Sequence, residues 1–192
     1  MIIGLTGSQR AGKTTAWNYF HETHGAIKLS IGQAIKDISH KLLGTVFMEQ
    51  EKDLSMPELN GKTPRDLYIH VGNMDEFKHS LFVEEMLRQG YEGPGSVHVI
   101  ESVGKPFQYL SILQHSMRNN DTCCILDIIR PGYEYKDSRR PIADWKPPIE
   151  VVNGDSVDEF YKQLDEAYVY AIRHDYSRDP QMVARYMELY NE

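Results

Sequence analysis

Eight residues near the start of the chain, Gly7-Ser8-Gln9-Arg10-Ala11-Gly12-Lys13-Thr14, spell the phosphate-loop pattern G-x-x-x-x-G-K-[ST]. A chance match in a chain of this length is roughly 1 in 100, so the flanks decide. An apolar run, Met1 to Thr6, precedes the loop as a buried parallel strand would, and a helix is expected from Lys13 to His24. Glycines allow the tight path, and the first amides of the helix then point at phosphate oxygens. Gly7, Ser8, Gln9, Arg10, Ala11, Gly12, Lys13, Thr14 and Thr15 are therefore the candidate ATP-binding residues. Lys13 supplies a charge for the β- and γ-phosphates, Thr14 a hydroxyl for Mg²⁺, and Arg10 a further cation.

The rest of the chain alternates. Strands are expected over 26–30, Val97–Val103, Cys123–Ile129 and Ile149–Val152. Ser30 caps a helix striped by Ile31, Ala34, Ile35, Ile38 and Leu42, which ends at Gly44. After an irregular, charged stretch over 45–62, Thr63-Pro64-Arg65-Asp66 opens a helical pattern reaching Gln89, with a break near Gly72. Helices also follow Pro106 and the Ser156/Glu159 capping box, the latter striped by Val157, Phe160, Tyr161, Leu164, Tyr168 and Ala171. The order implies a parallel sheet covered on both faces by helices, in a single domain over 1–192. The core is expected over 1–30, 97–129 and 149–172. The region 31–90 forms a helical insertion, 130–148 a long loop, and 173–192 a helical tail.

Three further groups have the chemistry for phosphoryl transfer. Glu101, at the end of the third strand, faces the ligand crevice and is a second metal candidate beside Thr14. Asp127 is its rival, though a mid-strand place sets it back from the crevice. Arg130, Arg139 and Arg140 flank the long loop, where closing arginines stabilise the charge of a moving phosphoryl group. Arg65, in the first turn of its helix, opposes the helix dipole and so favours an anionic partner. Lys36 lies on the crevice side of the helix after strand two. Catalytic candidates are thus Lys13, Arg130, Arg139, Arg140 and Glu101; substrate-binding candidates are Ser30, Lys36 and Arg65.

Four segments resemble the phage-type deoxynucleoside monophosphate kinases, relatives of adenylate kinase and similar in layout to dephospho-CoA kinase. They are the loop Gly7 to Thr14, the stretch Leu29-Ser30-Ile31-Gly32-Gln33-Ala34-Ile35-Lys36-Asp37, the helix start Thr63-Pro64-Arg65-Asp66-Leu67, and the pair Ile129-Arg130-Pro131-Gly132 and Val152-Asn153-Gly154-Asp155-Ser156. The resemblance implies a three-layer α/β/α P-loop kinase with five parallel strands in the order 2-3-1-4-5. It implies ATP with Mg²⁺, an acceptor monophosphate held by Lys36 and Arg65, and a lid over 130–148. The family's Asp-x-Arg after strand three is replaced by Glu101-Ser102-Val103, with Lys105 only a loose substitute for the arginine.

Charge and composition trim the alternatives. Lys plus Arg is 21 and Asp plus Glu is 28, a net −7, which argues against a long nucleic-acid groove. That counts against a rival reading, a kinase acting on a nucleotide within DNA. The arginine-bearing loop counts against another, a non-catalytic nucleotide-binding module. Small-molecule nucleotides are the expected partners, no membrane contact is expected, and a homodimer stays open. The start Met1-Ile2-Ile3-Gly4-Leu5 has no basic region or cleavage pattern and reads as a mature N-terminus entering a strand. The adjacent Cys123 and Cys124 read as buried core residues in a cytoplasmic protein.

Overall fold

Strand β1 (Ile2–Thr6) is buried along its whole length, as expected of a parallel strand with helices on both faces. In the computed structural model it lies at the centre of a five-stranded sheet ordered β2-β3-β1-β4-β5. The other strands are β2 (Ile27–Leu29), β3 (His98–Ile100), β4 (Cys123–Ile129) and β5 (Ile149–Val152). All four pairings are parallel, with Ile2 opposite both His98 and Cys123. The structure describes residues 1–74, 80–133, 149–174 and residue 184.

Alternation along the strands divides the core into two halves. Ile2, Ile100, Cys123 and Ile125 face helices α2 (Ile31–Leu43), α3 (Pro64–Asn73), α4 (Leu81–Gly90) and α5 (Pro106–Asn119). Ile3, Leu5, Val99, Cys124 and Leu126 face α1 (Lys13–His24) and α6 (Val157–Arg173). The expected three-layer α/β/α architecture and strand order are what the structure shows. The two cysteines are free and buried, one in each half of the core, and burial pushes the Cys124 thiol well up.

Local signals placed most of the helix ends. Ser30 accepts the Gln33 amide, and Gly44 closes α2 in the left-handed conformation, φ 67°. Thr63 and Asp66 form a reciprocal capping box around Pro64. Ser156 Oγ accepts the Glu159 amide and so starts α6. Ser156→Ala should lower stability by roughly 0.5–2 kcal/mol. Its thermal midpoint should therefore fall by a few degrees; an unchanged midpoint would show that the cap is idle.

Three expectations need correction. The third strand is three residues long, not seven. Glu101 N still donates to the Leu29 carbonyl (3.4 Å) and Val103 N to Leu5 (2.9 Å), but regular pairing stops at Ile100 as the chain turns toward α5. The break expected near Gly72 is present: α3 ends at Asn73, and Ser80 caps α4 by accepting the Val83 amide. Leu42 is 74% exposed because it lies in the last turn of α2, past the helices that cover its start. Val157 is 55% exposed, and the buried face of α6 is Phe160, Leu164, Ala167 and Ala171. The irregular stretch 45–62 contains two short 3-10 turns, Glu49–Glu51 and Pro57–Leu59. No described helix is long and apolar enough to cross a membrane.

Candidate active site

The phosphate loop joins β1 to α1 through three residues in left-handed backbone regions: Gly7 (φ 139°), Arg10 (φ 66°) and Gly12 (φ 110°). Alternation of this kind turns successive amides toward one concave side, which suits an anion. Strain at a non-glycine residue such as Arg10 is also characteristic of functional loops. α1 has neither a side-chain cap nor an acidic residue in its first turn. In contrast, α2, α3, α4 and α6 each begin with a Ser or Thr cap. The free amides at the start of α1 are thus open to an external acceptor.

Neighbouring elements hold the loop shut from behind. Asn153, in the turn after β5, donates its side-chain amide to the Ala11 carbonyl (2.8 Å) and its backbone amide to Ile129 (2.7 Å). Ser8 Oγ donates to the Tyr133 carbonyl, and Arg130 donates to the Arg10 carbonyl at 3.3 Å. The Arg130 guanidinium rests over the Tyr133 ring, 4.6 Å from its centroid. Arg130 is therefore held beside the loop. Arg139 and Arg140, most of the 130–148 loop and nearly all of the 173–192 tail lie outside the described residues.

Lys13 folds back on its own loop, donating from Nζ to the carbonyls of Gly7 and Ser8, both at 2.8 Å. Burial lowers its pKa, against the opposing pull of Glu101 and Asp127. Glu101 stands at the tip of β3, and its Oε1 accepts from Thr14 Oγ1 at 2.5 Å. Burial raises the Glu101 carboxyl, but hydrogen bonds from Lys28 and Thr14 outweigh it and leave it below the usual carboxylate range. A hydroxyl and a carboxylate in contact beside a phosphate cradle fit Mg²⁺, which takes few protein oxygens and completes its shell with phosphate and water. The described residues contain no cluster of three His, Cys, Asp or Glu side chains suited to a metal.

The expectation for Asp127 also needs correction. Its place in mid-strand does not set it back, because β4 continues past the end of β1. Asp127 pairs in register with Thr6, the last residue before the loop, and its charge acts on Lys13.

The remaining candidates are placed less directly. Thr15 is half-buried in the first turn of α1, Gln9 is exposed, and Ser30 uses its hydroxyl as the α2 cap. Lys36 pairs with Glu49 at 2.8 Å, and Arg65 donates from Nε and from Nη2 (3.0 Å) to Asp53. Hydrogen bonds from Lys36 and Lys52 hold the Glu49 carboxyl down, at about 2. Among the described residues, no hydrogen bond or ion pair joins Lys36 or Arg65 to the phosphate loop. A cavity of about 530 Å³ lies between α2 and the following segment, lined by Lys36, His40, Phe47 and Glu49 among others. Lys105 is spent on the end of α3, donating to the Gly72 carbonyl at 3.0 Å.

Reading the sequence did not single out Lys28 or Trp17. Lys28 pairs with Glu101 at 2.6 Å and lies over the Trp17 ring, 4.6 Å from the centroid. The available signal was a lysine inside an otherwise apolar strand.

The fold and the loop together define a parallel α/β domain whose β1–α1 junction carries the phosphate-loop sequence pattern. No protein-family model matches the chain, and no curated protein sequence matches it. Among solved structures, a mutant of the APS kinase CysC from Mycobacterium tuberculosis is similar at TM-score 0.40 and 11% identity, over 90% of this chain and 96% of that one. The shikimate kinase from Aquifex aeolicus is similar at TM-score 0.28 and 14% identity, over 99% and 95%. At such scores neither likeness bears on what this chain acts on.

Proposed function

We propose that this chain transfers the γ-phosphoryl group of ATP to a small phosphorylated acceptor of the deoxynucleoside monophosphate class. The observation that carries the reading is the junction at the phosphate loop. The uncapped α1 N-terminus, Lys13, and the Thr14–Glu101 pair converge where a triphosphate tail would lie. An oxygen of the acceptor phosphate attacks the γ-phosphorus, the bond to the β–γ bridging oxygen breaks, and ADP leaves with that oxygen. Little covalent chemistry falls to the protein, so positioning and charge do most of the work.

Lys13 would leave the loop carbonyls and follow the γ-phosphate. Thr14 and Glu101 would hold Mg²⁺, which supplies charge neutralisation on the β- and γ-phosphates. Arg130, anchored on the loop backbone, adds positive charge at the same end of the sheet. Support for an anionic acceptor comes from Lys36 and Arg65, each matched here by an exposed carboxylate, Glu49 and Asp53, both on the segment between α2 and α3. An incoming phosphate would take the place of these acids. The nucleoside part of the acceptor rests on the resemblance of the 29–37 and 63–67 segments to the monophosphate kinases.

The test is a panel of nucleoside and deoxynucleoside monophosphates with ATP, read as ADP formation. Acceptor-dependent ADP is expected; ADP formation indifferent to every acceptor would overturn the reading. Arg65→Ala should raise the KM for the acceptor about tenfold or more and leave that for ATP unchanged. Asp53→Asn should shift the acceptor KM the opposite way, because it removes the competing anion. Equal effects on both substrates would remove Arg65 from the acceptor site.

A further inference from the structure

One carboxylate at the site has both of its oxygens engaged by different elements. Glu101 Oε1 accepts from Thr14 on α1, and Oε2 is paired with Lys28 Nζ on β2 at 2.6 Å. Lys28 is itself seated, with its ammonium over the Trp17 ring at 4.6 Å. That is within the range where a cation is held by the negative face of an indole.

The seat is continuous with the phosphate loop. Thr14, Trp17 and His21 recur at three- and four-residue spacing, so they share one face of α1. His21 stacks on Trp17, with ring centroids 5.4 Å apart and planes 16° apart, and its Nδ1 lies 2.9 Å from the Ala26 carbonyl just before β2. The indole Nε1 is buried and has no hydrogen-bond partner among the described residues. The ring is therefore held by its faces rather than by its polar edge.

We propose that Lys28 is a positioning residue for Glu101: seated on Trp17, it fixes the carboxylate against Thr14 and away from Lys13. The proposal rests on the phosphate-loop reading above. Two cations compete for Glu101, since Lys13 also lies within its electrostatic reach. With Lys28 removed, the flexible carboxylate is free to turn onto Lys13. That would disable two groups together, the oxygen offered to the divalent ion and the ammonium offered to phosphate. With Lys28 present, Glu101 stays beside Thr14 and Lys13 stays available.

Glu101 thus contributes to the gain in nucleotide affinity that the divalent ion brings, and Lys28 controls that gain without touching the nucleotide. Calorimetric binding of ADP, in EDTA and in Mg²⁺, reads this without turnover. Wild-type protein should bind ADP more tightly in Mg²⁺. Lys28→Met, which keeps an apolar stem over Trp17, should lose most of that enhancement, about fivefold or more. Lys28→Arg should retain it, since a guanidinium can both pair with the carboxylate and stack on the ring. Trp17→Phe weakens the seat and should give an intermediate loss, and it serves if Lys28→Met fails to fold. An undiminished Mg²⁺ enhancement in Lys28→Met, or in Trp17→Phe where that variant alone folds, would overturn the positioning role while leaving the ATP site intact. Wild-type protein that binds no ADP in either buffer would instead overturn the phosphate-loop reading and this inference with it.

Discussion

Lys13→Ala should reduce kcat by roughly a thousandfold while leaving a folded protein. A positioned cation on the transferring group acts on charge that develops in the transition state, inside a partly desolvated site, where such contacts cost several kcal/mol of barrier when removed. Lys13 also has a resting role, since its ammonium ties the carbonyls of Gly7 and Ser8 together. Water can replace those two bonds in the variant, so the stability cost should stay at about 1 kcal/mol, or a few degrees in thermal midpoint. Steady-state kinetics with ATP and a monophosphate acceptor, paired with a melting curve, separates the two roles. Turnover near wild type would remove Lys13 from the chemistry.

Gly7→Ala is expected to damage both the fold and the site. A Cβ at position 7 would lie 2.4 Å from the Ile128 carbonyl oxygen and 3.3 Å from its carbon, on backbone that cannot swing aside. The φ of 139° is itself a region that side chains rarely adopt. Strain of about 1–3 kcal/mol from the torsion adds to a collision of similar size. The thermal midpoint should fall by about 10 °C, and ADP binding should disappear as β4 and the loop move apart. Gly95→Ala is the control, because Gly95 has φ 106° but no atom within 4 Å of the added Cβ. A drop no larger in Gly7→Ala than in Gly95→Ala would show that β4 does not brace the loop.

The parts of this site legible from sequence are those whose information is local. The loop needs its glycines and its lysine at fixed spacing, and caps such as Ser30, Thr63 and Ser156 act on amides three residues away. The apolar runs of β1 and β4 announce a buried parallel sheet for the same reason. What stayed hidden depends on register and length between strands. Asp127 lies level with Thr6, the last residue before the loop, because β4 outruns β1, and Lys28 meets Glu101 because β2 and β3 run side by side, with Leu29 opposite Ile100. Nothing in a window of ten residues carries either fact. The early end of β3 and the exposure of Leu42 were missed for a related reason: both are set by which neighbours arrive, not by the intrinsic preference of the residues.

The central place of β1 has a consequence during synthesis. Its partners are the strands at His98–Ile100 and Cys123–Ile129, so the apolar segment Ile2–Thr6 leaves the ribosome long before either can pair with it. At typical elongation rates of about 5–20 residues per second, β1 waits on the order of 5–20 s for its first neighbour. Throughout that interval an uncharged, β-prone pentapeptide is exposed on the nascent chain, a natural target for chaperones that bind short extended apolar stretches. Production in cells should therefore depend more on chaperone supply and translation speed than the stability of the finished sheet would suggest.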